Sequence, residues 1–205
     1  MRDNEPDGAP SGRFFLGRTA AGNVWCVGSG VPGALAAELD ALGRREPVTA
    51  DWREPPRCRA AVVELLGSAA GEWRGPAYVV PADTAVGGPT VLVDEANAAV
   101  LGEGFGDLAA ELRGRWPCLA VVEDGPALSV CFSARVGVGA CEAGVETRPE
   151  QRGRGLAGIA VAAWAGEVRR SGRAPLYSTS WENRSSRRVA EKLGMRLYGE
   201  DWHIG

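Results

Sequence analysis

The sequence predicts an α/β (α+β) fold: a mixed, mostly antiparallel sheet flanked by helices, with an N-terminal extension. Three observations predict it. Beyond Trp116-Pro117, apolar runs and turn signals follow the order β-β-β-α-β-α-β, antiparallel strands first and a helical crossover afterwards. A glycine-rich joint at 147–157 links a strand-like run to a strongly periodic helix. The 205 residues, 45% hydrophobic and 24% charged, suffice for one substantial core or for a domain with an appendage.

Residues 1–12 are polar and rich in proline and glycine, which reads as a disordered leader. Residues 13–89 read as an N-terminal α/β segment that packs on or completes the core, and 90–205 as the main domain. Weak alternation over 14–27, with Gly22-Asn23 inside it, suggests a hairpin. Residues 32–43 open with proline and close with glycine, the punctuation of a short helix, and 57–66 reads as another. Short β-like runs at 78–80 and 90–93 bracket a Pro/Gly-rich loop at 81–89. From Asp94 to about Arg113, Ala98, Leu101, Phe105, Leu108 and Leu112 recur at helical spacing.

Strands follow at 119–122 and 128–132, joined by the turn signal Glu123-Asp124-Gly125, and a third at 141–147 runs into the glycine-rich joint. The next helix places Leu156, Ile159, Ala160, Ala163, Trp164 and Val168 on one face and ends near Gly172. A strand at 176–181 precedes a helix capped by Asn183 and stopped by Gly194, and 196–204 closes the chain as strand.

Composition excludes several function classes. No apolar run approaches the ~20 residues of a membrane span, and no basic-then-apolar signal opens the chain, so a cytoplasmic protein without membrane contact is expected. Five scattered cysteines without C-x-x-C spacing read as free thiols. With His203 as the single histidine, neither a metal site nor a histidine-based triad is expected. The net charge of −3 hides an asymmetry: 148–188 holds nine arginines against three glutamates, leaving the remainder strongly acidic. Such a segment attracts a small polyanion. Aromatics are not interleaved with these arginines, which disfavours nucleic acid.

The joint is Thr147-Arg148-Pro149-Glu150-Gln151-Arg152-Gly153-Arg154-Gly155-Leu156-Ala157. Its glycines and alanine strip side chains from a helix N-terminus, where the first N–H groups have no intrahelical acceptor and suit a phosphate. It lacks the GxxxxGK[ST] pattern of a P-loop and the third glycine of a dinucleotide fingerprint. Glu142 and Glu146, four residues apart on one strand, share a face, and their mutual repulsion is expected to raise one pKa toward a base's working range. Cys141 reads as a buried apolar residue, and Trp181 and Trp202 as packing or as a pocket wall.

Residues 152–157 match R/Q-x-x-G-x-G/A, and Asn183-x-x-Ser186 followed by Glu191-Lys192-Leu193-Gly194-Met195 matches N-x-x-S/A…E-K-L-G-F. Together they resemble the GNAT N-acetyltransferase superfamily over about 118–205. The resemblance implies acetyl-CoA as co-substrate, its pyrophosphate held by Arg152, Gly153, Arg154, Gly155, Leu156 and Ala157. It implies a pantetheine arm bonded by backbone groups of Val145, Glu146 and Thr147, with Asn183 and Ser186 contributing from the following helix. It further implies direct attack by a primary amine, with Glu142 where some members keep a base acting through water. The tyrosine such enzymes carry seven residues after the asparagine is Ala190 here. Tyr177, Tyr198 or a water then serves as general acid, or the protein is a non-catalytic acyl-CoA sensor. The acceptor implied is a small-molecule or peptide amine, the acidic remainder disfavours aminoacyl-tRNA, and a homodimer is compatible with the sequence.

Overall fold

The computed structural model describes residues 12–84 and 87–205, so the expected leader lies, but for Gly12, outside the described residues. Two compact units are present. Among the described residues, one comprises 12–78 with Ser178–Arg184 and Leu197–Gly205, the other Val79–Tyr177 with Ser185–Arg196.

In the first unit, β1 (Phe14–Thr19) and β2 (Gly22–Val27) form the expected hairpin. The turn is Ala20-Ala21 rather than Gly22-Asn23, because Gly22 already pairs with Thr19. Strand β9, Arg196–Ile204, lies antiparallel to β1, with Phe14 opposite Ile204. Strand β3, Trp73–Val79, flanks β9 in the order β2-β1-β9-β3. Period-two alternation turns Phe14, Leu16, Trp202 and Ile204 inward against Leu39, Val62 and Leu66 of two helices. Helix α1 (Gly33–Arg45) runs two residues past Gly43. That glycine does not end it: a Cβ there would stand 2.5 Å from the Trp25 ring, so packing selects glycine. Helix α2 (Arg59–Leu66) does end on a left-handed glycine, Gly67.

The first unit also buries charge that hydropathy patterning did not reveal. Glu200 is fully buried on β9. It accepts Arg18 Nε at 3.0 Å and Trp181 Nε1 at 2.7 Å, with Arg74 at 3.2 Å. Burial pushes its carboxyl above the usual range against the opposing pull of these donors.

In the second unit the strand order is β8-β7-β6-β5-β4. Strands β4 (Thr90–Val93), β5 (Cys118–Val121), β6 (Ser129–Val136) and β7 (Ala140–Thr147) pair antiparallel in succession. Strand β8, Ala174–Ser178, is parallel to β7. Helix α4 (Leu156–Arg170) packs on β5, β6 and β7, with Trp164 Nε1 donating to Ser133 Oγ at 3.1 Å. The crossover from β7 through α4 to β8 thus matches the expected order. Of the expected stripe Leu156, Ala160, Trp164 and Val168 are buried while Ile159 and Ala163 are half-buried, and Val161, Ala162 and Ala165 are buried besides.

The helix expected over 94–113 is broken into 3-10 turns at Ala98–Leu101 and Glu103–Phe105, a short α3 at Gly106–Glu111, and a last 3-10 turn at Leu112–Gly114. Gly102 interrupts it at φ 60°, and the Arg148 guanidinium lies 3.0–3.2 Å from where Cβ atoms of Gly102 and Gly104 would stand. The apolar positions still reach the core, with Leu101, Phe105, Leu108 and Leu112 packed beside Val93, Ala120 and Val130. Helix α5 (Arg184–Lys192) starts one residue after Asn183, and Gly194 stops it at φ 62°.

Candidate functional site

The site is the place where β7 and β8 part. They pair at Ala140↔Ala174, Cys141↔Pro175 and Glu142↔Leu176. Beyond that rung β7 continues to Thr147 and β8 to Ser178 without further pairing to each other.

Backbone parity decides which groups face the opening. The Arg148 amide donates to the Leu128 carbonyl at 3.0 Å, so the even-numbered residues of β7 bond toward β6. The Gly139 carbonyl accepts the Ala174 amide at 2.9 Å, which puts odd-numbered residues on the β8 side. Val145 and Thr147 therefore present their main-chain groups to the open edge. Glu146, expected to do the same, does not. It is opposite Val130, and its carbonyl also accepts Ser129 Oγ at 3.0 Å. Its exposed side chain is what remains to act. Ser129, a buried strand residue that also bonds Thr147 Oγ1 at 2.8 Å, had no signal in the sequence.

Glu142 and Glu146 do share a face, yet their Cα atoms are about 13 Å apart at four strand residues, beyond a Debye length at physiological salt. The Phe132 ring lies over Gly144 between them, where a Cβ would come within 2.5 Å. Glu142 instead accepts Arg135 NH1 at 2.9 Å. A β-bulge between Ser133 and Arg135 creates that pairing by setting Arg135 opposite Glu142, and Arg115 NH1 takes up the bulged Ala134 carbonyl at 2.9 Å. The expected carboxylate repulsion is thus replaced by an ion pair that only a bulge could produce.

At the joint, a 3-10 turn over Pro149–Gln151 leads through Gly153 (φ 81°) and Gly155 (φ 85°) into α4. Among the described residues, the amides of Gly153, Arg154, Gly155, Leu156 and Ala157 have no acceptor, and the first bonded one is Gly158, to Gly155 O at 3.0 Å. A Cβ at Gly153 or Gly155 would meet nothing within 4 Å, so the backbone is open to a ligand's approach. These successive N–H groups, with the positive end of the α4 dipole, form an anion cradle.

The arginine surplus is largely consumed by structure. Arg148 donates to the Ala127 carbonyl at 2.6 Å and stacks 5.7 Å from the Phe105 ring centre. Arg154 pairs with Glu123 and Gln151, Arg169 with the Val80 and Pro81 carbonyls, Arg170 with Glu167, and Arg173 with the Gly137 carbonyl. Arg152 is exposed at the cradle.

Two further expected residues meet. Tyr177, buried on β8, places its hydroxyl 2.5 Å from Ser186 Oγ on α5. Asn183 stands at the turn before α5, its amide donating to Ser180 O at 3.1 Å. Ala190 is buried. Cys141 is buried as expected, and burial raises its thiol pKa, against thiolate chemistry.

Residues 118–200 match the family model described as GNAT acetyltransferase. A GCN5-related N-acetyltransferase-like protein from Streptococcus suis shares the fold at TM-score 0.55 and 17% identity, over 95% of this chain and 85% of that one. A GNAT-family protein from Novosphingobium aromaticivorans gives TM-score 0.52 at 21% identity, over 65% of this chain and 64% of that one. A GCN5-related N-acetyltransferase from Kribbella flavida gives 0.52 at 21%, over 73% and 63%. The chain thus spans less than two thirds of the latter two, and at these identities the likeness is one of fold. No curated protein matches the sequence.

Proposed function

We propose, from the match of residues 118–200 to the GNAT acetyltransferase model, that this protein transfers an acetyl group from acetyl-CoA to a primary amine within a ternary complex. The observation that carries the reading is the run of five amides from Gly153 to Ala157 with no acceptor among the described residues, following the parted strand β7. A pyrophosphate suits the first feature, and an extended amide-bearing arm suits the second.

Bound acetyl-CoA supplies the acyl group as an activated thioester. Gly153, Arg154, Gly155, Leu156 and Ala157 hold the pyrophosphate through main-chain N–H groups, and Arg152 adds charge. Val145 and Thr147 pair with the arm as a strand edge pairs with a strand, and an N–H from this edge polarises the thioester carbonyl. Asn183 and Ser186 flank the arm from the start of α5. Glu146, with the exposed carboxylate, accepts the proton from the acceptor's ammonium. Glu142, held by Arg135, sets the charge of the same face. Tyr177, linked to Ser186, protonates the departing thiolate in place of the tyrosine that Ala190 replaces.

Isothermal titration with acetyl-CoA followed by a thiol-release assay over an amine panel tests the reading. Binding with amine-dependent release is expected, and absence of binding at millimolar ligand overturns it. One observation favours a second reading, an acyl-CoA sensor without turnover: the family's usual acid position is the buried Ala190. Binding without release from any amine would select the sensor. A small-molecule or peptide amine is the acceptor class proposed, in a cytoplasmic protein. No helix among the described residues is long and apolar enough to cross a membrane.

A further inference from the structure

Beside the anion cradle stands the carboxylate of Glu123. Glu123 belongs to the turn between β5 and β6, whose β6 end is bonded to Arg148 and Val100. The Leu128 carbonyl accepts the Arg148 amide at 3.0 Å, and the Ala127 carbonyl accepts Arg148 Nε at 2.6 Å. The Ala127 amide in turn donates to the Val100 carbonyl at 2.7 Å. Glu123 stands two residues after the end of β5, at the start of this turn, and Asp124 follows it.

The partner of Glu123 is Arg154, the residue between the two left-handed glycines. Arg154 NH2 donates to Glu123 Oε2 at 2.7 Å, and NH1 donates to Gln151 Oε1. Both charged side chains are close to half exposed, 45% and 42%, so water and a competing anion reach them. A carboxylate here acts twice against an incoming phosphate: it repels the polyanion and occupies a guanidinium at the cradle. The cost of exchange is small, because an exposed ion pair contributes at most about 1 kcal/mol.

We propose that Glu123 is an intramolecular competitor for Arg154, and that coenzyme A takes this guanidinium from Glu123 through one of its phosphates. The inference rests on the coenzyme reading above. The exchange sets the affinity for the coenzyme below what the bare cradle would give, which favours release of the spent coenzyme.

The test is calorimetric titration of coenzyme A into wild type, Glu123→Gln, Arg154→Gln and the double variant at low ionic strength. Glutamine keeps the shape of Glu123 and removes the charge. Glu123→Gln is expected to tighten binding about three- to fivefold, and Arg154→Gln to weaken it by a similar factor. In the Arg154→Gln background the Glu123→Gln gain is expected to fall below about twofold, since the two side chains act as one unit. Unchanged or weaker binding by Glu123→Gln overturns the proposal, as does an equal gain in both backgrounds. Either result with a wild type that binds coenzyme A leaves the acetyltransferase reading standing. Absence of binding by all four proteins overturns both.

Discussion

Leu176 is the last residue of β8 to pair with β7, and its partner is Glu142. One rung further the strands separate, and from there β7 offers Val145 and Thr147 main-chain groups to an edge without a strand. An open β-edge inside a sheet is costly unless something fills it, since each main-chain donor and acceptor seeks a partner. The same strand carries the candidate carboxylates on its other register, so ligand edge and reacting face are positioned by one element.

The cradle makes a charge-specific prediction at Gly155. Its φ of 85° strains any side chain, so a single substitution would confuse strain with electrostatics. Asparagine tolerates this region and matches aspartate in shape. Gly155→Asp is expected to bind acetyl-CoA about tenfold more weakly than Gly155→Asn, equivalent to ~1.4 kcal/mol, in a titration at low salt. Equal affinities would remove the pyrophosphate from this loop.

The division of labour between the two glutamates predicts different kinetic losses. Glu146→Gln is expected to lower kcat by about 100-fold with acetyl-CoA affinity held within about threefold. Glu142→Gln breaks an ion pair with Arg135 and is expected to change kcat less than about tenfold. The reverse ranking would return the base to Glu142.

Tyr177→Phe removes a hydroxyl without opening a cavity. If the phenol delivers the proton to the leaving thiolate, kcat falls by about 100-fold while acetyl-CoA affinity holds within about threefold. A loss confined to affinity would make the Tyr177–Ser186 bond structural.

Much of this arrangement was legible in the sequence, and the exceptions have physical causes. The order of elements along the chain, the glycine-rich joint and the α4 and α5 boundaries follow from periodicity and from glycines at helix ends, both local properties. The break at 94–113 was not readable, because Gly102 and Gly104 respond to Arg148, a residue more than forty positions away. The Arg135–Glu142 pair depends on a one-residue bulge, and a bulge leaves no periodic trace. Main-chain parity along β7 depends on register, which pairing alone sets. The sequence alone therefore groups Glu146 with Val145 and Thr147, although its backbone bonds toward β6. The buried Glu200 cluster was hidden for a related reason: charges in a strand read as solvent-facing until their partners are known.

Glu72 supplies a pH prediction whose sign is fixed by its partners. Its carboxylate accepts Arg59 Nε and NH2, each at 2.6 Å, and Trp202 Nε1 at 2.9 Å. The Arg59 hydrogen bonds hold its pKa below the usual carboxylate value of 4.5, with burial opposing. A carboxyl whose folded pKa lies below its unfolded one binds fewer protons when folded. It therefore contributes stability above the unfolded value and loses it as pH falls through the folded one. Wild type is accordingly expected to exceed Glu72→Gln in urea-unfolding free energy at pH 7. The gap narrows as pH drops below about 4.5 and closes once both states of the glutamate are protonated. Glu200, pushed upward by burial, has the opposite slope, so a Glu200→Gln control separates the two. For that variant the difference from wild type shifts in favour of wild type on acidification. A Glu72→Gln gap that stayed constant between pH 7 and pH 3 would mean that Arg59 and Trp202 do not hold this carboxylate in solution.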